Sequence, residues 1–142
     1  MILPDVNVLV YAHRKDTPRH EEYRAWLEGV LSGPSAFGLA DVVLSGFLRV
    51  VTHPRVFKEP TPLAEAVAFV RAVRDRDNRV PVVPGARHWS IFLDLCGSAE
   101  ARGNLVADAY LAALAIEAGA EWLTTDRDYM RFPQLRTRHP LA

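Results

Sequence analysis

Cysteine is nearly missing from this chain: one residue, Cys96, in 142. That excludes an intrachain disulfide and any multi-cysteine zinc cage. Phe92, Leu93 and Leu95 around it mark an ordinary buried thiol. Lysine is almost as scarce, with only Lys15 and Lys58 among seventeen basic residues, the other fifteen being arginine. Seventeen acidic residues balance them. With no net charge there is no global pull toward nucleic acid or membrane, so any contact with a polyanion has to be local. Long apolar runs are missing too. The opening stretch Ile2–Ala12 is interrupted by Pro4, Asp5 and Asn7 and is too short to span a bilayer. It also lacks the basic start and small-residue cleavage site of an export signal. A soluble cytoplasmic protein with no membrane contact is the expectation. No G-x-x-x-x-G-K-[ST], G-x-G-x-x-G or G-x-S-x-G occurs, which leaves nucleotide-binding loops and serine-hydrolase elbows without support. His13, His20, His53, His88 and His139 form no H-x-x-x-H pair, so zinc is not expected.

What is present suffices for one domain covering residues 1–142, with 49% apolar residues to fill its core. Short β-like runs alternate with longer helical ones. Met1–Pro4 reads as a strand, and Val6–His13 as a helix. Thr17-Pro18 offers a cap and a first-turn proline for a helix ending near Gly33. Ala36–Leu39 is a strand. Asp41 is a candidate cap for the next helix, whose stripe is Leu44, Phe47, Leu48 and Val51 before Pro54 stops it. Thr61-Pro62 repeats the cap signature for a helix to about Arg74. Arg79–Val83 is β-like, a helix starts near Ala86, and another runs from Asn104 to Ala118 before Gly119. Glu121–Thr124 is the last clear strand, with Leu135–Thr137 as a possible edge. Strands separated by helices imply an α/β fold: a three-layer α/β/α arrangement around a central, mostly parallel sheet.

Three aspartates occupy places a plain core would avoid. Asp5 follows the first strand and Asp126 follows the last clear one. In a parallel sheet strand carboxyl ends share one edge, where ligands bind. Asp108 is the only charged residue from Leu105 through Ile116, on a helix apolar nearly all round. A carboxylate there costs several kcal/mol unless positive charge meets it. Each acid also has a plain structural role open to it: Asp5 can cap the helix at Val6, Asp126 the turn at 127–130, and Asp108 can pair with an arginine. Three together near one edge need a shared counter-charge. A hard divalent cation, Mg²⁺ or Mn²⁺, is the simplest answer for oxygen ligands.

The residues Asp5-Val6-Asn7-Val8-Leu9, Val106-Ala107-Asp108-Ala109 and Leu123-Thr124-Thr125-Asp126-Arg127-Asp128 together resemble a PIN-domain nuclease. Length and element order are similar to the VapC-type ribonuclease toxins of type II toxin–antitoxin systems, over essentially the whole chain. The resemblance implies a PIN-like fold and Mg²⁺-dependent endonucleolytic hydrolysis of RNA, with Mn²⁺ as a possible substitute. It places Asp5, Asp108 and Asp126 at the catalytic and metal-holding positions, with Asn7, Asp41 and Asp128 as possible auxiliaries. Arg49, Arg55 and Arg127 are the candidates for substrate contact. It further implies a homodimer and a cognate antitoxin, a small DNA-binding protein encoded adjacently. A further glutamate is usual in the third helix of that family, and here no glutamate occurs between Ala40 and Arg49. Either Asp41 stands in for it or Gly46 marks its loss. That departure keeps a second expectation open: a catalytically weakened PIN fold serving as an RNA-binding or protein-interaction module.

Overall fold

The computed structural model describes Met1–Ala142. Its strands are β1 (Ile2–Pro4), β2 (Phe37–Leu39), β3 (Arg79–Pro81), β4 (Glu121–Leu123) and β5 (Thr137–Arg138). Between them lie α1 (Val6–His13), α2 (His20–Ser32), α3 (Asp41–Val51), α4 (Leu63–Arg74), α5 (His88–Ser98) and α6 (Asn104–Ala118). A short 3₁₀ turn, Arg127–Arg131, follows β4. The strands form one sheet in the order β3-β2-β1-β4-β5, and every pair is parallel. The expected mostly parallel sheet is therefore wholly parallel.

The strand order fixes the layers. From β1 the chain steps outward through β2 to β3, then returns past β1 to lay down β4 and β5 on the other side. Right-handed crossovers running in opposite directions put their helices on opposite faces. Accordingly α1 to α4 pack among themselves, while α5 and the 3₁₀ turn pack along α6. The result is α/β/α. Its core is contiguous, with Phe37, Phe47, Trp122, Tyr129 and Phe132 among the largest fully buried side chains. No helix is long and apolar enough to cross a membrane. Cys96 is only half-buried, less enclosed than its apolar neighbours suggest.

Two helices coincide with their sequence limits because their ends are chemically marked. Asp5 caps α1, its Oδ1 accepting the Val6 N–H at 2.7 Å. Gly119 ends α6 in the left-handed region, φ 64°, with its N–H turned back to Ala115 and Ile116 carbonyls. Ala107, Ala109, Ala112, Ala113 and Ala115 supply that helix with the best helix former, and the last four, all buried, let it lie close to its neighbours.

Two expected caps are corrected. The Thr17 hydroxyl donates to the Arg14 carbonyl at 2.6 Å, which closes a turn, and α2 begins three residues later behind Arg19. The Thr61 oxygen accepts from the Arg14 guanidinium and meets His13 Nε2, each at 3.2 Å, so α4 starts after Pro62 without a side-chain cap. In both places a tertiary or turn contact outbids the helix end. The start of α5 moves from Ala86 to His88 because Glu117 holds the preceding loop, accepting from the Gly85 and Arg87 N–H groups at 2.6 and 2.9 Å.

Candidate active site

The order in which strands are added reverses between β1 and β4, and a crevice at the carboxyl ends of such a pair is the usual ligand site of an open parallel sheet. Asp5 leaves the end of β1 and Asp126 lies just beyond β4. The Asp5 N–H extends the ladder to the Leu123 carbonyl at 2.9 Å, which ties the two strand ends together. Asp5 is only 5% exposed. Besides the Val6 N–H on Oδ1, its Oδ2 accepts from the Thr124 hydroxyl at 2.7 Å. That same hydroxyl oxygen accepts the Asp126 N–H at 3.0 Å. Asp126 in turn opens the 3₁₀ turn, its Oδ1 accepting the Asp128 N–H at 2.9 Å.

Capping therefore does not compete with a site here; it aims the carboxylates. Asp108, half-buried one turn into α6, brings a carboxylate oxygen to within 4.8 Å of oxygens from Asp126 and Asp128. The Tyr129 hydroxyl donates to Asp108 Oδ1 at 3.4 Å. Of the sequence candidates, Asp108, Asp126 and Asp128 thus converge, and Asp5 lies close behind them through Thr124.

The charges in this crevice strain one another. Burial, offset in part by the Thr124 and Val6 hydrogen bonds and reinforced by Asp108 and Asp126, pushes Asp5 up to about 6 from its usual 3.8. Asp108 is raised by burial first, then by Asp126 and, less, by Asp128, with the Tyr129 hydrogen bond acting against them. Burial, then the charges of Asp5 and Asp108, holds the Tyr129 phenol protonated far above its ordinary range. None of the four acids has an ion-pair partner in the chain: the bridges join Arg14, Arg19, His20, Arg24, Arg74 and Arg138 to other acids. An all-oxygen donor set with uncompensated negative charge fits a hard divalent cation.

The remaining candidates lie elsewhere or lie open. Asp41 does not cap α3 as expected: it is the helix's first residue, with Ala40 in the cap position, and both its oxygens are taken by Arg74 at 2.9 and 3.1 Å. That bidentate pair holds its carboxyl below the usual range and keeps it out of the acidic cluster. Gly46 faces Val6: a Cβ there would stand 2.9 Å from Val6 Cγ2, so a side chain at 46 would require the branched Val6 side chain, next to Asp5, to shift. Asn7 is half-buried in the first turn of α1. Arg49, Arg55 and Arg127 are exposed and make no ion pair.

Sequence reasoning passed over Thr124 and Tyr129, the two hydroxyls that touch the acids. Their only local signal was position, two residues before and three after Asp126.

Comparison with known proteins gives a consistent picture. The PIN domain family matches residues 2–135. VapC ribonuclease Mb2897 of Mycobacterium bovis is 48% identical over 141 residues, 99% of this chain and 96% of that protein. Ribonuclease VapC25 of Mycobacterium tuberculosis is 41% identical over 140 residues, 99% of each. Among solved structures, VapBC2 from Rickettsia felis bound to a DNA fragment from its promoter superposes with a TM-score of 0.70 at 19% identity, covering 98% of both chains. FitAB bound to an IR36 DNA fragment gives 0.63 at 18% identity, covering all of this chain and 96% of the other.

Proposed function

Because the chain belongs to the PIN-domain family, among its VapC-type ribonucleases, we propose that it is a Mg²⁺-dependent endoribonuclease, the toxin of a toxin–antitoxin pair, acting as a single nuclease domain over residues 1–142. The observation that carries this reading is the convergence of Asp108, Asp126 and Asp128 at the sheet's switch point, with Asp5 beside them and none of the four in an ion pair. Asp108, Asp126 and Asp128 would hold the ion, with Asp5 contributing from behind. Bound there, Mg²⁺, or Mn²⁺ in its place, supplies the positive charge that acidifies a water and offsets charge building on a phosphodiester in hydrolysis.

The chain's own groups do the rest. The Val6 N–H and the Thr124 hydroxyl fix the Asp5 carboxylate, and the Asp128 N–H fixes that of Asp126, so the donor set is organised before any ligand arrives. Arg127 follows Asp126 in the chain with a free guanidinium suited to a phosphate oxygen, and Arg49 in the last turn of α3 and Arg55 just beyond it would offer further exposed guanidiniums to an RNA backbone. The partners of this reading are RNA, a second copy of the chain, and a small DNA-binding antitoxin encoded adjacently. The solved relatives that share the fold are themselves complexes bound to DNA.

Incubation of purified protein with total RNA tests the proposal. Cleavage that requires Mg²⁺ or Mn²⁺, stops on chelation and is lost in Asp108→Asn supports it. Cleavage that survives chelation overturns the metal's role. Co-expression with the adjacent small protein is expected to relieve growth arrest and yield a stable complex.

A second reading has its own observation. With Asp41 tied to Arg74 and a glycine at position 46, no carboxylate from α3 joins the cluster. A chain that binds RNA without metal-dependent turnover would be an RNA-binding module on the same fold. RNA retention without cleavage across a Mg²⁺ titration selects that reading.

A further inference from the structure

Tyr129 is 2% exposed, and packing accounts for its ring. The ring sits 5.4 Å from that of Trp122 and 6.3 Å from that of Phe132, centroid to centroid. A phenylalanine would fill the same space. The hydroxyl is different: burying a phenol O–H is costly unless it is bonded, and its one acceptor is Asp108 Oδ1. This is also the only side-chain hydrogen bond between α6, which carries Asp108, and the 3₁₀ turn that follows Asp126 and begins with Arg127 and Asp128. The carboxylates of Asp5 and Asp126 are aimed by a hydroxyl or backbone N–H groups near them in sequence or across the sheet. Asp108, in the middle of a helix, has no such group.

We propose that Tyr129 is a positioning residue for the candidate metal site: its hydroxyl holds Asp108 Oδ1 and so turns the free Oδ2 toward Asp126 and Asp128. The inference rests on the metal-site reading given above and extends it to a residue outside the acidic set. At 3.4 Å the bond is long for O–H···O. It therefore steers the carboxylate against the repulsion of Asp126 and Asp128 rather than clamping it. A neutral donor suits that task. It adds no positive charge that would compete with a cation.

The test is Mg²⁺ and Mn²⁺ binding to the purified full chain by calorimetry, with the melting temperature of the metal-free protein measured alongside, for wild type and Tyr129→Phe. The variant removes one oxygen and leaves the ring packing. The expected result is metal affinity weakened about 10-fold, the scale of losing an outer partner of a metal ligand, with the metal-free melting temperature unchanged or slightly raised. Equal affinity in the two proteins overturns the proposal while leaving the metal site intact. A lower metal-free melting temperature with unchanged affinity assigns the hydroxyl to stability alone and also overturns it. Wild type that binds neither ion removes the metal-site reading itself, and the proposal with it.

Discussion

The Thr124 hydroxyl gives its proton to Asp5 Oδ2 at 2.7 Å and takes the Asp126 N–H on its oxygen at 3.0 Å, so one buried side chain ties together acids 121 positions apart. Removing it leaves a buried carboxylate oxygen and a backbone N–H without partners. Thr124→Val is expected to cost about 2 kcal/mol, the usual figure for a hydrogen bond to a charged group. Thr124→Ser should recover most of it. Urea denaturation of the three proteins is the measurement, and equal midpoints for valine and threonine would show that the relay carries no stability.

Asp108→Asn is expected to lower RNA cleavage by about 100-fold or more, the scale of losing one preorganised electrostatic contact at a reacting centre. It should also raise the melting temperature of the metal-free protein. The amide still accepts from Tyr129 but removes the charge that Asp126 and Asp128 repel. Full activity with lower stability would make Asp108 a structural residue.

Asp5 sets an unusual pH dependence. Its folded value, about 6, lies above its unfolded 3.8, so the native state holds the proton more tightly. The stability this contributes is complete below 3.8 and is lost as pH rises through about 6. The difference amounts to ~3 kcal/mol. Metal-free protein should therefore melt higher at pH 5 than at pH 7.5, and Asp5→Asn should flatten that slope. Carboxylates held low by arginine, such as Asp41, work in the opposite sense and only in more acid solution. A melting temperature that falls steadily from pH 7.5 to 5 in wild type would refute the assignment.

The Asp41–Arg74 bridge is exposed. Asp41→Asn is expected to move the melting temperature within about 2 °C, as surface pairs do. Mg²⁺ affinity should not change, because Asp41 stands outside the acidic cluster. Weakened Mg²⁺ binding in Asp41→Asn would restore it to the role left by the missing glutamate.

What could be read from the residues alone depended on how local the deciding contact was. The limits of α1 and α6 were legible because Asp5 and Gly119 act on their own helix ends. Thr17 and Thr61 carry the same kind of signal, yet their oxygens serve a turn and the Arg14 guanidinium, and no nearby residue announces it. β5 slid from the expected 135–137 to Thr137–Arg138 because the Trp122 N–H bonds to the Arg136 carbonyl, a pairing set by β4. At the site, strand-end position sufficed to bring out Asp5 and Asp126, and isolation on an apolar helix brought out Asp108. Asp41 was ambiguous because its partner lies on the next helix, 33 residues on. Thr124 was silent because its reach back to Asp5 spans 119 residues.

That span bears on how the molecule comes into being. β1, the middle strand, is made well before β4, its neighbour at the switch point, with β2, β3 and all six helices between them in the chain. Contacts this distant in sequence form late and slowly, because the loop between them must close first. Until residues 121–128 dock, Asp5 lacks Thr124, and Asp108 lacks Asp126 and Asp128. A chain cut short before β4 can lay β1, β2 and β3 side by side and still have no acidic cluster. The acidic cluster is thus withheld by topology until β4 and the turn that follows it have been made and docked.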